Sequence, residues 1–335
     1  MIITKTPFRM SFFGGGTDME NFFREYGGAV ISTTFDKYCY VNVRHLPRFF
    51  DYSTELSYSK TERVTNVDDI EHPAVRNAMK MLDMHEIRLT YEADLPARSG
   101  LGTSSSFAVG MLNAFHCLKG KYADKKKLAN QAIYLERELC QEAGGWQDQI
   151  AAAYGGMNRI DFNKDGSYDV KPIIIHPDRK KQLNDNLLMF FTGFTRFSSD
   201  LQKANAIGYA EKIKQLQEML SLVDDAEAVL EDKHSDLDDF GRLLDKTWRL
   251  KRQTGGAITT NSIDELYEKG VSAGALGGKL LGAGGGGFLV FYVTPDKKEA
   301  VMDSMKDLLY VPFRFEDGGT RVIHYSPESY EPKED

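Results

Sequence analysis

The chain has 335 residues, of which 41% are hydrophobic and 27% are charged, and its formal net charge at pH 7 is −7. This composition is that of a globular protein with one large domain or two, and it excludes disorder, collagen and coiled coil as descriptions of the whole chain. The acidic balance disfavours a general nucleic-acid binder, because such a protein needs a basic surface to displace counterions.

Cysteines, histidines and apolar runs give no sign of a metal site, a disulfide framework or a membrane span. Cys39, Cys117 and Cys140 lie far apart and form no CxxC pair, and the seven histidines form no HExxH or HxH pair. The first residues lack the apolar stretch of a signal peptide, and no apolar run approaches the ~20 residues of a membrane span. We therefore expect a cytoplasmic protein with reduced thiols that binds neither nucleic acid nor membrane.

Residue patterns predict strands and helices that alternate along the chain. The predicted strands are 29–34, 38–43, 87–91, 157–162, 167–175, 187–191, 288–293, 311–315 and 320–325. The predicted helices are 104–118, 126–140, 200–230, 236–251 and 263–276. The uninterrupted apolar run 288–293 indicates a central, buried strand. The predicted class is α+β, with two domains, 1–180 and 181–335, that meet near residue 180.

A segment rich in glycine and hydroxyl residues, 100–106, leads into the predicted helix 104–118. Glycines let backbone amides face outward, and the start of a helix leaves amides unpaired with a partial positive charge. Together they form a cradle for an anion, and the hydroxyls add donors and a ligand for a hard metal ion. A single hydroxyl would be enough for an ordinary helix cap, so four in a row favour a phosphate-binding site.

A second glycine-rich segment, 282–287, matches GxGxxG but precedes a strand, whereas a dinucleotide-binding fingerprint follows one. Gly278 and Lys279 do not complete a Walker A loop, because Ala273 stands where its first glycine belongs and Leu280 follows the lysine. The run of glycines predicts a backbone that passes close to a substrate or phosphate. Tight packing beside the following strand is the alternative.

Two acidic residues form the remaining candidate group. Glu136 borders the apolar face of the helix 126–140, and Asp148 follows that helix. Two carboxylates so placed could converge, one on a cation and the other on a hydroxyl that it orients or deprotonates. Each also has an ordinary interpretation, Glu136 as a salt-bridged surface residue and Asp148 as a helix cap, and the residues alone leave both open.

In this order, these segments resemble the three motifs of the GHMP kinase superfamily over nearly the whole chain. The first motif corresponds to PFRMSFFGGGTD at 7–18, the second to 100–106 and the third to KLLGAGGGG at 279–287. The resemblance implies a two-lobed fold, with a mixed sheet and helices in the N-terminal lobe and a ferredoxin-like C-terminal lobe. It also implies ATP and Mg²⁺ as cofactors.

The resemblance assigns a role to each matching residue. Asp148 corresponds to the base, Arg9 lies near the transferring phosphoryl group, and Ser104 and Glu136 correspond to the Mg²⁺ ligands. The residues implied to hold the nucleotide are Pro96, Gly100, Leu101, Gly102, Thr103, Ser104 and Ser105. The residues implied to bind the acceptor are Gly15, Gly16, Thr17, Asp18, Gly284 and Gly285.

The details of the motifs resemble one branch of the superfamily. This chain has GGGTD where galactokinase-type enzymes carry GEHTD, and its GGWQDQ and GAGGGGF segments are similar to heptose 7-phosphate kinases and the related fucokinase domain. The resemblance implies ATP-dependent phosphorylation of the anomeric hydroxyl of D-glycero-D-manno-heptose 7-phosphate, giving the 1,7-bisphosphate for nucleotide-activated heptose and surface polysaccharide. Arg98, Lys5 and Arg196 are candidate cations for the 7-phosphate.

Three other functions stay open. L-fucokinase, or another free-sugar 1-kinase, is the nearest, and a decarboxylase of the mevalonate branch would use the same architecture. A non-catalytic sensor of sugar or ATP is the third, and the presence of Ser104, Glu136 and Asp148 argues against it. The sequence does not fix the oligomeric state.

Overall fold

The computed structural model describes residues 1–97, 99–193, 209–255, 258–282 and 286–327. The helices, numbered in chain order, are α1 (Glu20–Tyr26), α2 (Pro73–Leu82), α3 (Thr103–Leu118), α4 (Lys125–Tyr134), α5 (Gln147–Tyr154), α6 (Pro177–Asn186), α7 (Tyr209–Glu231), α8 (Asp238–Gln253), α9 (Asn261–Ser272) and α10 (Lys298–Ser304). The strands are β1 (Ile2–Phe13), β2 (Gly28–His45), β3 (Thr54–Ser57), β4 (Thr61–Val64), β5 (Ile87–Ala93), β6 (Asn158–Phe162), β7 (Tyr168–Pro172), β8 (Leu187–Phe191), β9 (Gly277–Leu280), β10 (Phe288–Tyr292), β11 (Leu309–Tyr310), β12 (Phe315–Glu316) and β13 (Arg321–Tyr325).

Two sheets organise the molecule, and the α+β class is confirmed. The larger sheet has nine of the described strands, in the order β13-β1-β2-β5-β3-β4, with β12 and β6 also on β2 and β7 on β6. The smaller sheet has the order β11-β8-β10-β9. Strand β10 lies between two neighbours with all five residues buried, which confirms the prediction from its apolar run.

Four predicted elements differ from the structure in more than their ends. The predicted strands 29–34 and 38–43 are parts of one long strand, β2. Its pairing with β1 is irregular, because the neighbouring residues Pro7 and Phe8 of β1 pair with Tyr38 and Phe35. The predicted strand 311–315 is wrong: β11 ends before it and β12 begins at its last residue. Pro312 lies in the gap and has no amide hydrogen to donate to a neighbouring strand. The predicted helix 126–140 changes at residue 135 into a π-helical turn, Leu135–Leu139.

Helix α3 packs closely on β1, and this contact positions the loop that precedes it. A β-carbon at Gly110 would lie 2.7 Å from Thr6 Oγ1, so only glycine allows the helix to approach this closely. The Thr4 hydroxyl donates to the Gly110 carbonyl over 2.9 Å. At the start of the helix, the Arg9 amide donates to the Leu101 carbonyl over 3.1 Å. The glycine- and hydroxyl-rich segment is thereby held against Arg9.

A second core joins the larger sheet to α8. The Phe240 ring of that helix meets Phe12 and Phe13 of β1 edge-on, at centroid distances of 5.3 and 5.1 Å. Strands β12 and β13 come late in the chain but pair with β2 and β1 of the larger sheet. The domain boundary near residue 180 stays a prediction. No helix among the described residues is long and apolar enough to cross a membrane.

Candidate active site

A cavity of about 490 Å³ lies where β1, α3, the π-helical turn and the last turn of α8 meet. Its wall includes five residues that were selected from four segments of the sequence: Arg9, Asp18, Ser104, Glu136 and Asp148. The structure therefore brings the two acidic residues and the hydroxyl-rich loop to one cavity. Their individual roles stay predictions.

The loop before α3 depends on two glycines in left-handed conformations, Gly100 with φ 82° and Gly102 with φ 71°. A β-carbon on Gly100 would lie 2.3 Å from the Leu281 carbonyl oxygen, so this loop touches the start of the third motif. Ser104 and Ser105, in the first turn of α3, line the cavity. The other predicted nucleotide residues lie outside its lining: Pro96, Gly100, Leu101, Gly102 and Thr103.

Arg9 holds Asp148 with two parallel bonds. Its Nε donates to Oδ1 over 2.7 Å and its Nη2 to Oδ2 over 2.9 Å, while Nη1 donates to the Gly100 carbonyl over 2.8 Å. The Arg9 side chain is 6% exposed and that of Asp148 is 26% exposed. A bidentate pair of this kind fixes the direction of both groups, so Asp148 presents a fixed carboxylate edge to the cavity.

Glu136 lies in the π-helical turn with its carboxylate almost fully buried. Ser104 Oγ donates to Oε1 over 2.9 Å and Ser105 Oγ to Oε2 over 2.7 Å, and the Gln149 amide also donates to Oε2. Burial raises the pKa of Glu136, against the Arg137 guanidinium and the Ser105 and Gln149 hydrogen bonds, which lower it. The serine hydroxyls and this carboxylate are hard oxygen donors of the kind that Mg²⁺ prefers.

The donor set suits a cation that is shared with a phosphate. Within the residues that the structure describes, no group of three or more histidine, cysteine or acidic side chains could hold a metal ion by itself. Mg²⁺ in phosphate-transferring sites typically takes one or two carboxylates and completes its shell with substrate phosphates and water. Ser104 and Glu136 fit that pattern.

Asp18 is buried and held by backbone amides. The Gly16 amide donates to Oδ1 over 2.8 Å, and the Gln147 amide to Oδ2 over 3.4 Å. Burial raises the pKa of Asp18, and the Asp148 charge raises it further, whereas the amide bonds lower it. A β-carbon at Gly145 would lie 1.8 Å from Asp18 Oδ2, so the carboxylate occupies the space beside that glycine.

The remaining predicted acceptor residues divide into three groups. Gly15 and Gly16 line the cavity. Thr17 is fully buried, and its hydroxyl bonds to the Gly14 and Ala29 carbonyls, so it shapes the turn instead of facing the cavity. Two others lie outside the described residues, Gly284 and Gly285.

Of the three cations suggested for a 7-phosphate, the structure describes Lys5 alone. The Lys5 amine lies 3.6 Å from the centroid of the Tyr38 ring and is not part of the lining. Arg98 and Arg196 lie outside the part of the chain that the structure describes.

Three lysines of the cavity wall were not among the site residues selected from the sequence: Lys212, Lys251 and Lys279. Lys251 Nζ donates to the Gly282 carbonyl, and Lys279 Nζ to the Phe12 carbonyl, each over 2.9 Å. Burial lowers the pKa of Lys251 to about 8, although the Asp18 and Asp148 charges raise it. Burial also lowers the pKa of Lys279 far below its usual range, and the charge of Lys251 lowers it further.

Helical spacing contains a signal for Lys251. Leu244, Thr247 and Trp248 are buried on one side of α8, and Lys251 continues the same i, i+3, i+4, i+7 stripe. Charged residues in a helical region such as this one are ordinarily assigned to the solvated side of the helix. A lysine on the apolar stripe marks an exception to that interpretation.

Comparisons with known proteins agree with the residue pattern. The family model for the N-terminal domain of GHMP kinases matches residues 70–156, and the model for the C-terminal domain matches residues 225–311. D-glycero-alpha-D-manno-heptose 7-phosphate kinase of Campylobacter jejuni is 29% identical over 322 residues, which cover 91% of this chain and 93% of that protein. L-fucokinase/L-fucose-1-P guanylyltransferase of Bacteroides fragilis is 29% identical over 228 residues, 64% of this chain but 23% of that longer protein.

Solved structures share the fold. A D-glycero-D-manno-heptose 1-phosphate kinase from Bacteroides thetaiotaomicron superposes with a TM-score of 0.78 at 24% identity, over 99% of this chain and 100% of that one. Lactococcus lactis galactokinase, solved with galactose, gives a TM-score of 0.71 at 16% identity over 96% of this chain and 94% of that one. At these identities the likeness describes the architecture, which agrees with the two-lobed fold that the motifs imply.

Proposed function

Because the chain belongs to the GHMP kinase family and is therefore a phosphotransferase that acts on a hydroxyl group, we propose that it is an ATP-dependent sugar 1-kinase. The acceptor we propose is D-glycero-D-manno-heptose 7-phosphate, and the product is the 1,7-bisphosphate. The observation that carries this proposal is the Arg9–Asp148 pair, which faces the same cavity as Asp18 and the start of α3. The Campylobacter jejuni relative, which matches over nearly the whole chain, supports the choice of acceptor.

The loop before α3 would hold the phosphates of ATP. Its left-handed glycines turn the chain so that backbone amides at the start of the helix would meet an anion. Ser104 and Glu136 would hold Mg²⁺ between them, in agreement with the hydrogen bond that joins them. Bound there, Mg²⁺ would neutralise part of the charge on the β- and γ-phosphate oxygens.

Asp148 would receive the proton of the acceptor hydroxyl. Both of its oxygens already accept bonds from Arg9, so the hydroxyl must approach the lone pairs that Arg9 leaves open. As the anomeric oxygen bonds to the γ-phosphorus, the bond from that phosphorus to ADP breaks, and the hydroxyl proton passes to the carboxylate. Positioning and charge neutralisation would supply most of the acceleration in such a transfer.

Asp18 would orient the sugar. Two backbone amides bond to its carboxylate, which leaves lone pairs for hydroxyl groups of an acceptor. Its position in the cavity wall with Asp148 would let one sugar contact both carboxylates, one at a ring hydroxyl and the other at the reacting hydroxyl.

The proposal is tested by measuring ADP release over a panel of acceptors. The panel contains D-glycero-D-manno-heptose 7-phosphate, the same heptose without its phosphate, L-fucose, galactose and mevalonate. We expect the highest kcat/KM with heptose 7-phosphate, and phosphorus NMR should show the new phosphate coupled to the anomeric proton. Preference for an acceptor without phosphate, or transfer to another hydroxyl, would contradict the assignment.

A free-sugar 1-kinase is the second candidate, because the Bacteroides fragilis fucokinase protein matches this chain at similar identity. The same panel separates the two, since a fucokinase would favour L-fucose over the phosphorylated heptose. A decarboxylase would be recognised in these assays by the release of CO₂, and a sensor by ligand binding without the release of ADP. Use of ATP and a sugar phosphate would place the protein in the cytoplasm.

A further inference from the structure

Three hydrogen-bond donors converge on the space beside Gly15. A β-carbon built on this glycine would lie 3.4 Å from Ser11 Oγ, 3.8 Å from Gln147 Nε2 and 3.9 Å from Lys251 Nζ. All four residues line the cavity described above. A hydroxyl, an amide nitrogen and an ammonium group thus surround a space that any side chain at position 15 would fill.

Polar atoms in this cluster lack partners. Ser11 Oγ is buried and has no hydrogen bond within the described structure, so its hydroxyl is available as a donor. Gln147 Oε1 also lacks a partner, but as an amide oxygen it only accepts and does not itself serve a phosphate. Ser11 is 5% exposed and Gln147 is 8% exposed, so water at the surface does not satisfy them. Buried polar groups are normally hydrogen-bonded, and unpaired ones are typical of sites that bind a ligand.

Lys251 forms no direct ion pair among the described residues, although the Asp18 and Asp148 carboxylates act on its charge from farther away. Its amine bonds to a carbonyl, and no carboxylate of the described chain lies within 4.0 Å of it. Lys279, on the same cavity wall, is 1% exposed and likewise bonds only to a carbonyl among those residues. Burial disfavours the charged form of both amines, and a bound anion would favour it.

Two arginines of the cavity wall are already paired with carboxylates, whereas Lys212 on the same wall is exposed. Arg9 is paired with Asp148, and Arg137 Nη2 lies 3.6 Å from Glu136 Oε2. The donors around Gly15 are not used by these two pairs. They adjoin Asp18, whose pKa burial raises and the Gln147 side chain lowers.

We propose that Ser11, Gln147 and Lys251 form a phosphate-binding cradle around Gly15, which recognises a phosphate group carried by the acceptor. This inference rests on the proposed function and deepens it, since it names the residues that select a phosphorylated sugar over a free one. Lysine suits the task because its ammonium offers three donors to a phosphate without a fixed geometry.

The test compares acceptors with and without a phosphate in the Lys251→Met variant. We expect kcat/KM for heptose 7-phosphate to fall roughly 30- to 100-fold, the scale of one lost charge-assisted hydrogen bond. For the same heptose without phosphate, kcat/KM should stay within about threefold, because no contact to that acceptor is lost. The matched control is Lys246→Met, since Lys246 is on the same helix, 53% exposed and 3.5 Å from Glu218; it should change neither value.

A second variant tests the cradle independently of the charge. Gly15→Ala would place a methyl group among the three donors, and no atom lies closer than 3.4 Å to that position, so the fold should tolerate it. It should also lower the preference for the phosphorylated acceptor, while the affinity for ATP stays unchanged. Thermal unfolding of each variant shows whether it is folded.

Two results would overturn the inference. An equal loss for both acceptors in Lys251→Met would mean that the lysine acts on the transferring phosphoryl group. A full preference for the phosphorylated acceptor in both variants would mean that the cradle does not bind it. If the unmodified protein prefers another phosphorylated acceptor and the variants lose that preference, the cradle stands and the heptose assignment fails.

Discussion

Replacement of Asp148 by asparagine tests whether this carboxylate accepts the proton of the acceptor hydroxyl. Asparagine keeps the size of the side chain and the oxygen that accepts from Arg9 Nε at 2.7 Å. Its amide group then faces Arg9 Nη2, where the present oxygen accepts at 2.9 Å, so one charge-assisted bond becomes a contact between two donors. The variant therefore loses both a proton acceptor and a partner of a buried guanidinium.

The two losses have different sizes and different readouts. Loss of the proton acceptor should lower kcat by roughly 10²-fold or more, which corresponds to about 2.7 kcal/mol of transition-state stabilisation. Loss of one charge-assisted bond should lower the free energy of unfolding by about 1–2 kcal/mol, less than for a fully buried pair because Asp148 is 26% exposed. The affinity for ATP should stay within several-fold, since the phosphate loop is untouched.

Coupled ADP-release kinetics give kcat, and calorimetric titration gives the affinity for ATP. Asp307→Asn serves as the control, because the Asp307 carboxylate is 81% exposed and lies 3.9 Å from the Lys269 amine. Arg9→Met combined with Asp148→Asn should lower kcat little further than the more damaging single change, because the two side chains act as one unit. Near-normal turnover in Asp148→Asn would refute the role assigned to this carboxylate.

Three further predictions concern the metal, the sugar and the pH. Glu136→Gln should raise the Mg²⁺ concentration for half-maximal rate about tenfold or more, measured at saturating ATP, and an unchanged Mg²⁺ requirement would contradict its role as a ligand. Gly145→Ala should raise the KM for the sugar about tenfold while the KM for ATP changes less than twofold, because the added methyl would lie 1.8 Å from Asp18 Oδ2 in the present position. The pKa of Lys251 is lowered to about 8, so its charge is present below that pH and absent above it. We therefore expect kcat/KM for a phosphorylated acceptor to fall as the pH rises through 8. The same fall in Lys251→Met would assign the pH dependence to another group.

Local patterns predicted the elements that depend on local sequence. Two glycines followed by a run of hydroxyl residues located the loop before α3, because left-handed turns and helix caps are set by the residues that form them. The apolar run of β10 likewise indicated a central strand, since such a run must be buried on both faces. Strand β1 was not predicted as a strand, because its segment was interpreted only as a glycine-ended motif.

The assembly of the site depended on contacts between distant segments. No local pattern shows that Arg9 bonds to Asp148, and this proximity followed only from the family resemblance. The cradle around Gly15 was missed for the same reason: Ser11, Gln147 and Lys251 come from three segments that only the folded chain brings together. Where one residue did carry a signal, as Lys251 does on its helical stripe, the rule that charged residues face solvent concealed it.

The π-helical turn at Leu135–Leu139 has a consequence for how the chain can vary. The bond from the Cys140 amide to the Leu135 carbonyl closes this turn over five residues instead of four, so it contains one residue more than an α-helical turn. Each residue of an α-helix advances the chain by about 100° around the axis. Deletion of Glu138 would restore the regular winding of an α-helix. The chain that continues to Asp148 would then leave the helix rotated by about that angle, in a direction away from Glu136. The twelve-residue interval between these carboxylates therefore tolerates exchange of its residues better than any change in its length.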